Sequence, residues 1–189
     1  MMKVGILALQ GNVSEHIYML KRLGVEAVPV KTPLDIMNIN GLIIPGGEST
    51  TIGRLMERFD LANSIKNRAA EGMPIYGTCA GMILLSKRIR DHEQPSLALL
   101  DVTVLRNAFG RQGDSMETDI DIKGFDSPFH AIFIRAPVAV EPGPEVEVLA
   151  SVPEGIVFLR EKKIIASSFH PELGEDLKVH KYFLDIIGN

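Results

Sequence analysis

The sequence predicts an α/β protein: a three-layer sandwich with a largely parallel central sheet that antiparallel strands extend. Two observations support this fold class. Up to about residue 97, short apolar runs alternate with helix-like segments, and this alternation is typical of a parallel sheet covered by helices on both faces. Beyond residue 97 the segments are β-rich and separated by turn residues, which favours mixed or antiparallel additions to the same sheet.

The first half of the chain contains the alternating elements. Runs of apolar residues bounded by glycine or proline indicate buried strands, whereas apolar residues three and four positions apart indicate helices. Thr32 followed by Pro33 is typical of a helix start, and Gly24 and Gly72 are typical stops. The predicted strands are 3–9, 25–30, 41–45 and 74–76, and the predicted helices are 14–23, 33–37, 51–58, 60–71 and one beginning at residue 80.

The second half contains six short β-prone runs and one closing helix. Turn sequences such as Lys123-Gly124 and Pro153-Glu154-Gly155 separate the runs, and these residues punctuate strands. The predicted strands are 101–105, 116–122, 131–135, 146–150, 156–160 and 163–167, and the helix is 175–187.

Composition limits the possible functions. A chain of 189 residues is long enough for one well-buried core and short for two, so we expect a single domain over 1–189. The net charge of −4 gives no reason to expect nucleic acid or an anionic membrane as a partner. No apolar run approaches the roughly 20 residues of a membrane span, and no signal-peptide pattern opens the chain, which predicts a cytoplasmic location. We expect no metal and no cofactor, since no Cys/His cluster has zinc-ligand spacing.

The single cysteine, Cys79, lies where a strand-like run meets a helix-like run. Gly77, Ala80 and Gly81 surround it with small residues, as the tight turn of a nucleophile elbow requires. Unpaired amides at the helix start, including that of Ala80, favour a thiolate and can hold an oxyanion. The alternative is a buried structural thiol, because cysteine is among the residues most often buried.

A base and its orienting partner are found in His170-Pro171-Glu172. In extended backbone, residues i and i+2 point to the same side, so Glu172 can hold one imidazole nitrogen while the other faces the thiol. The alternative is a polar turn between a strand and the last helix. The other histidines are predicted to be surface residues or satisfied local structure: His16, His92, His130 and His180.

Three loops follow the carboxyl ends of predicted parallel strands: Gln10-Gly11, Gly46-Gly47 and the turn at Cys79. Ligands bind at such ends in open α/β sheets, so we expect these loops to meet in one crevice. Glycine permits backbone geometry closed to other residues, so the Gly47 amide can turn inward as a second oxyanion donor; a simple tight turn is the alternative.

These residues resemble a known family. Gly77, Cys79 and Gly81 with a late His-Pro-Glu resemble the class I, or triad, glutamine amidotransferases, whose fold is flavodoxin-like. Five further segments, in order over nearly the whole chain, narrow the resemblance to the glutaminase subunits of pyridoxal 5′-phosphate synthase: LQG at 9–11, PGGESTT at 45–51, RNAFGRQ at 106–112, FIRAP at 133–137 and SFHPEL at 168–173.

The resemblance implies a glutaminase that passes ammonia to a separate synthase subunit, a (β/α)8 barrel. It makes Cys79 the nucleophile, His170 the acid and base, and Glu172 the group that orients His170. Gln10 and Gly11 are expected to relay the partner's presence to the loop at Gly47. The positions that match glutamine-binding residues of the family are Gly47, Glu48, Ser49, Arg106, Ile134 and Arg135.

Chemistry is consistent with these roles. Arg106 or Arg135 can fork onto the substrate α-carboxylate, and Glu48 can pair with the α-ammonium. The plain alternatives are surface arginines and a carboxylate that stabilises a helix start.

Two other functions are compatible with a cysteine on such an elbow. One is that of the DJ-1/PfpI-like proteins, in many of which a histidine follows the cysteine. The other is a non-catalytic scaffold that only binds a partner.

Overall fold

The structure is a computed structural model that describes residues 2–109 and 115–189. Its strands are β1 (Lys3–Leu7), β2 (Glu26–Val30), β3 (Gly41–Ile44), β4 (Ile75–Thr78), β5 (Ser86–Ile89), β6 (Leu100–Leu105), β7 (Ser115–Ile120), β8 (Phe129–Ile134), β9 (Val138–Val140), β10 (Glu147–Val152), β11 (Gly155–Glu161) and β12 (Ile164–Ser167). Its helices are α1 (Val13–Arg22), α2 (Pro33–Ile36), α3 (Ser49–Arg58), α4 (Leu61–Ala70), α5 (Ala80–Leu85) and α6 (Lys178–Gly188), with a 3₁₀ turn at Pro171–Leu173.

A mixed sheet runs through the centre of the described residues in the order β2-β1-β3-β4-β12-β11-β9-β6-β5, with β10 paired to β11. Strands β2, β1, β3, β4 and β12 are mutually parallel, and antiparallel pairs extend the sheet through β11 and β9. Strands β3 and β4 are buried along their whole length, which explains why they appear as unbroken apolar runs. The predicted fold class is confirmed.

Helices cover both faces of this sheet. One core contains Ile52 and Met56 of α3, Leu61 of α4 and Leu84 of α5. The other contains Leu20 of α1 and Phe183 of α6. The carboxyl ends of β1, β3, β4 and β12 therefore open at one edge between the two helical layers.

The prediction that every late strand extends the central sheet is wrong for β7 and β8. These two strands form a separate antiparallel pair, with Ser115 opposite Ile134 and Ile120 opposite Phe129. Their inner side chains, including Phe129 and Phe133, are buried in the same core as α1 and α6. Burial alternates along β8, so one face of the β7–β8 pair packs on the protein and the other faces solvent. A pair that packs in this way does not need to join the central sheet.

Other elements differ from the predicted boundaries. Strands β5 and β9 were not predicted: β5 is short and exposes its lysine and arginine, and β9 has only three residues. The last helix begins at Lys178 rather than residue 175, because a 3₁₀ turn and a short connection precede it. No helix among the described residues is long and apolar enough to cross a lipid bilayer.

Candidate active site

Cys79 occupies a strained corner between β4 and α5. Its backbone has φ 49° and ψ −100°, a region that residues other than glycine rarely adopt. The Cys79 amide donates to the Ser167 carbonyl (2.7 Å), which fixes the corner against β12. Ala80 is the first residue of α5, so its amide has no acceptor within the helix. The predicted elbow geometry is present.

Close packing explains the small residues around this corner. A Cβ on Gly77 would lie 2.6 Å from the Gly81 carbonyl carbon and 2.6 Å from Leu85 Cδ1, and a Cβ on Gly81 would collide with the Ile44 carbonyl. Side chains at either position would push α5 off the sheet. The glycines therefore keep the start of α5, and with it Cys79, close to β3 and β4.

His170 and Glu172 are paired beside the cysteine. His170 Nδ1 lies 2.7 Å from Glu172 Oε1, and both residues are buried. A Cβ built on Gly46 would collide with the His170 ring and lie 3.6 Å from Cys79 Cβ, so the imidazole and the thiol pack around the same glycine. The extended-backbone explanation for this pair is wrong: Pro171–Leu173 form a 3₁₀ turn, and the turn brings Glu172 back to the imidazole.

The charges of this pair are strongly coupled. Burial by itself lowers the pKa of His170, but hydrogen bonds to Cys79 and Glu172 and the charge of Glu172 outweigh burial and raise it to about 10. Burial by itself raises the pKa of the Glu172 carboxyl, but the imidazoles of His16 and His170 and a hydrogen bond from Asn12 lower it to about 2. At neutral pH the pair is therefore an imidazolium and a carboxylate.

The loops after β1 and β3 pack directly on each other. The Asn12 amide donates to the Gly46 carbonyl (3.1 Å), and the Glu48 amide donates to Gln10 Oε1 (2.7 Å). Gly11 has φ 106°, and a Cβ there would overlap the Gly46 carbonyl oxygen. Neither Gly46 nor Gly47 has positive φ, so the conformation in this structure does not use backbone geometry that only glycine permits, and the inward turn of the Gly47 amide stays a prediction. The two glycines are needed because His170 and Gln10 leave no room for a side chain.

A cavity of about 440 Å³ lies over the thiol and the imidazole. All predicted site residues except Gly11 and Glu172 line it: Gln10, Gly47, Glu48, Ser49, Cys79, Ala80, Arg106, Ile134, Arg135 and His170. Charged and polar residues thus line the cavity around Cys79. The cavity can hold a small polar molecule that carries both charges.

Comparison with known proteins gives the family. The family model described as "SNO glutamine amidotransferase family" matches residues 6–188. The chain belongs to the SNO glutamine amidotransferase family. The "Pyridoxal 5′-phosphate synthase subunit PdxT" of Herpetosiphon aurantiacus is 54% identical over 190 residues, which cover 98% of this chain and 100% of the relative. The protein of the same name from Fervidobacterium nodosum is 47% identical over 186 residues, which cover 98% of this chain and 97% of the relative.

A solved structure agrees with this assignment. The structure described as "Crystal structure of glutamine amidotransferase" is 48% identical in sequence to this chain and has a TM-score of 0.94. The match covers 98% of this chain and 99% of the chain in that structure. The predicted family, and with it the expectation of a glutamine-hydrolysing enzyme, is confirmed.

Glu48 and Arg106 give this family member opposite charges on one wall of the cavity. The Glu48 carboxylate caps α3 by accepting from the Thr50 amide (2.9 Å) and from the Thr51 amide (2.8 Å) and hydroxyl (2.6 Å). The Thr51 hydroxyl, followed by the Thr50 and Thr51 amides, lowers the pKa of this carboxyl to about 2. Arg106 Nη2 lies 4.0 Å from Glu48 Oε1. Glu48 therefore does stabilise the start of α3. About half of its side chain is still exposed.

Ile134 and Arg135 form the opposite wall at the end of β8. Arg135 has φ 44°, so the chain turns sharply there. The Ile134 carbonyl oxygen lies 3.9 Å from Cys79 Sγ. Arg135 is exposed and forms no ion pair within the described part of the chain. A backbone acceptor thus lies beside the thiol, and the exposed Arg135 lines the same cavity.

Two residues that contact the predicted site residues were not predicted from the sequence: Asn12 and Gln94. Asn12 Nδ2 donates to Glu172 Oε1 (3.0 Å), and Gln94 Oε1 accepts from the Ser49 hydroxyl (3.0 Å) and from Arg106 Nη1 (3.3 Å). Asn12 follows Gln10-Gly11 directly, so its position at a strand end was an available signal. Gln94 lies in a stretch without periodicity, and nothing in the sequence indicates its role. The 110–112 part of the RNAFGRQ motif lies outside the described residues.

The prediction that His16 and His180 are surface residues or satisfied by local contacts is wrong. Both are fully buried, and His16 Nδ1 lies 3.0 Å from His180 Nε2 across 164 residues of sequence. Helical periodicity places them on α1 and α6, but it does not show that these helices are neighbours. No group of three or more His, Cys, Asp or Glu that could hold a metal occurs in the parts of the chain that are described.

Proposed function

We propose that the chain hydrolyses L-glutamine to L-glutamate and ammonia through Cys79, His170 and Glu172. The observation that carries this proposal is the meeting of these three side chains, from distant parts of the chain, at one end of the sheet. The arrangement contains each part that acyl transfer requires: a nucleophile on an elbow, a base beside it, and a carboxylate that orients the base.

In the first half of the reaction, the Cys79 thiolate adds to the side-chain amide carbon of glutamine. The imidazolium of His170 then donates its proton to the departing nitrogen, and ammonia leaves a γ-glutamyl thioester on Cys79. The high pKa of His170 supports this order, since it keeps the ring protonated until the thiolate is consumed. In the second half, neutral His170 takes a proton from water, and the hydroxide releases glutamate.

The tetrahedral oxyanion would be held by the Ala80 amide and by that of Gly47. The Gly46 carbonyl accepts from Asn12, and in a trans peptide the Gly47 N–H points the opposite way, away from the Gln10–Asn12 loop. Turning the Gly46–Gly47 peptide over breaks the hydrogen bond from the Asn12 amide and reverses the direction of the Gly47 N–H. Because Gln10 and Gly11 lie against the same peptide, a partner that binds this loop can control the second donor. Losing one donor typically costs about 10²–10³ in rate.

The charges of the cavity match a zwitterionic amino acid. Arg106 or Arg135 would bind the α-carboxylate, and Glu48 would bind the α-ammonium with the lone pairs that its helix cap leaves free. The Ile134 carbonyl and the Ser49 and Gly47 backbone would line the side chain. This arrangement requires the amide end of the substrate to reach Cys79.

We further propose that the 1–189 chain acts as a single glutaminase domain in the cytoplasm and delivers ammonia to a synthase subunit that makes pyridoxal 5′-phosphate. The relatives named PdxT support the partner and the product. That the partner is a (β/α)8 barrel is an implication of the resemblance alone. The activity is expected to need neither metal nor cofactor.

The test is glutamate release with and without the cognate synthase subunit, together with labelling of Cys79 by 6-diazo-5-oxo-L-norleucine. Release only in the complex, with a covalent adduct on Cys79, is the expected result. Equal rates with and without the partner would rule out control through the Gly46–Gly47 peptide. A chain that stays unlabelled in the complex supports the scaffold function, and methylglyoxal turnover without glutamate release supports the DJ-1/PfpI-like function.

A further inference from the structure

Behind the triad lies a buried chain of imidazoles. His180 of α6 contacts His16 of α1 through Nε2 and Nδ1 (3.0 Å). The other nitrogen of His16, Nε2, lies 3.3 Å from Thr78 Oγ1 and 3.6 Å from Glu172 Oε2. His16, Thr78 and His180 are all fully buried, so solvent does not satisfy these atoms. The contacts run without a break from α6 to the triad carboxylate.

Two atoms of this chain decide how its protons are arranged. Glu172 Oε2 and His180 Nδ1 are buried and have no hydrogen-bond partner among the described residues. A carboxylate oxygen attracts an N–H and repels a nitrogen lone pair, so His16 carries its proton on Nε2, directed at Glu172 Oε2 and Thr78 Oγ1. His16 Nδ1 then accepts from His180 Nε2–H. His180 Nδ1 is left as a bare acceptor, which is less costly to bury than an unpaired N–H.

The groups that face His16 fit a neutral ring. Burial lowers the pKa of His16, the charge of Glu172 opposes this effect, and His170 reinforces it. Burial also lowers the pKa of His180, to about 3, with a further contribution from His16. Two neutral imidazoles can be joined by one N–H···N hydrogen bond, as the contact between them requires.

We propose that His16 is a positioning residue for glutamine hydrolysis: its Nε2–H, 3.6 Å from Glu172 Oε2, attracts that oxygen electrostatically, and His180 fixes the His16 tautomer. This attraction at Oε2 keeps the carboxylate oriented with Oε1 on His170 Nδ1 and on Asn12 Nδ2. His16 touches neither the thiol nor the cavity, so it acts only through Glu172. The proposal rests on the proposed glutaminase function.

The first test uses the wild-type chain and needs no activity. Histidine labelled with ¹⁵N reports which ring nitrogen carries the proton. Nε2–H on both His16 and His180 is the expected result. An Nδ1–H tautomer of His16, or a protonated His16 at neutral pH, would overturn the proposal.

The second test compares two replacements of His16. His16→Gln places an amide nitrogen near the position of Nε2, whereas His16→Asn reaches only the position of Nδ1. We expect His16→Asn to lower kcat in the complex about ten-fold to a hundred-fold, the effect of leaving one buried polar group unpaired, with KM changed by less than about three-fold. His16→Gln should retain kcat within about three-fold. The NMR-measured pKa of His170 should fall in the Asn variant and stay high in the Gln variant.

Controls separate positioning from stability and from the proposed function. Ile65→Ala removes a buried side chain of α4 in the other core, so it should lower stability and leave kcat unchanged. Equal kcat and an equal His170 pKa in wild type and His16→Asn would overturn the proposal. Should the Asn variant fail to fold, His180→Leu removes only the donor to His16 and is expected to lower kcat and the His170 pKa in the same direction. If the wild-type complex releases no glutamate, the proposed function fails, while the tautomer and the His170 titration still decide the positioning role.

Discussion

Replacement of Glu172 by Gln removes the charge paired with His170 in the proposed triad and leaves the shape of the side chain almost unchanged. The Glu172 side chain is fully buried, and its carboxylate accepts from His170 (2.7 Å) and Asn12 (3.0 Å). Its pKa is about 2, against 4.5 when unperturbed. The difference measures how much more the folded protein stabilises the ionised carboxylate than the unfolded chain does. At 1.36 kcal/mol for each pKa unit, the difference corresponds to at most about 3 kcal/mol of stability at neutral pH, because the part of the shift that comes from a charged His16 is absent when that ring is neutral.

The sign of the pH dependence follows from the direction of this shift. A carboxyl whose pKa is lowered on folding stabilises the protein fully above the unfolded pKa, 4.5, and loses that contribution as pH falls toward about 2. The difference in unfolding free energy between wild type and Glu172→Gln should therefore be clearly measurable at pH 7, up to about 3 kcal/mol. It should shrink progressively below pH 4.5.

Urea denaturation at a series of pH values measures this difference. Glu175→Gln is the matched control, because Glu175 is an exposed carboxylate paired with Arg22 at the surface, and its loss should change stability by less than about 1 kcal/mol. Glutamine hydrolysis by the Glu172→Gln variant should fall by on the order of 10³–10⁴, since an amide no longer stabilises the imidazolium. A Glu172→Gln protein within about 0.5 kcal/mol of wild type at pH 7 would refute the electrostatic reasoning.

Three further predictions concern the thiol, the glycine beside it and the base. Cys79→Ala should abolish glutamate release in the complex and change the unfolding free energy by less than about 2 kcal/mol, because it removes one atom; residual release would show another nucleophile. Gly46→Ala adds a Cβ against the His170 ring and should cost about 1–3 kcal/mol of stability and at least about 10² in kcat, whereas Gly188→Ala, where the added Cβ meets nothing, should be neutral in both assays. The pKa of His170, raised from 6.5 to about 10, predicts stability that is complete below pH 6.5 and declines as pH rises toward 10; a urea midpoint that stays flat over this range would contradict the imidazolium assignment.

Much of the central sheet could be predicted from the sequence because its strands are buried on both faces. An unbroken apolar run such as β3 permits few other structures, and the glycines and prolines around it limit its length. The placement of β7 and β8 could not be predicted in the same way. Alternating burial shows that a strand has one apolar face, but not which part of the molecule covers that face.

The residues of the proposed triad were easier to predict than the residues that contact them. Cys79 is the only cysteine, and the proline between His170 and Glu172 marks that pair in the sequence. Asn12, His16 and Gln94 carry no such mark. Their roles depend on which helices and loops are neighbours in space, and a single sequence contains no direct record of those contacts.

The position of β12 has a consequence for how the protein is made. It is the final strand along the chain, yet it inserts between β4 and β11 in the interior of the sheet. While the ribosome is still synthesising residues 164–167, the strand that ends at the cysteine has an open edge, and the histidine does not yet exist. The nascent chain therefore cannot assemble its proposed hydrolytic centre early, and an exposed edge of this kind is a natural target for chaperones.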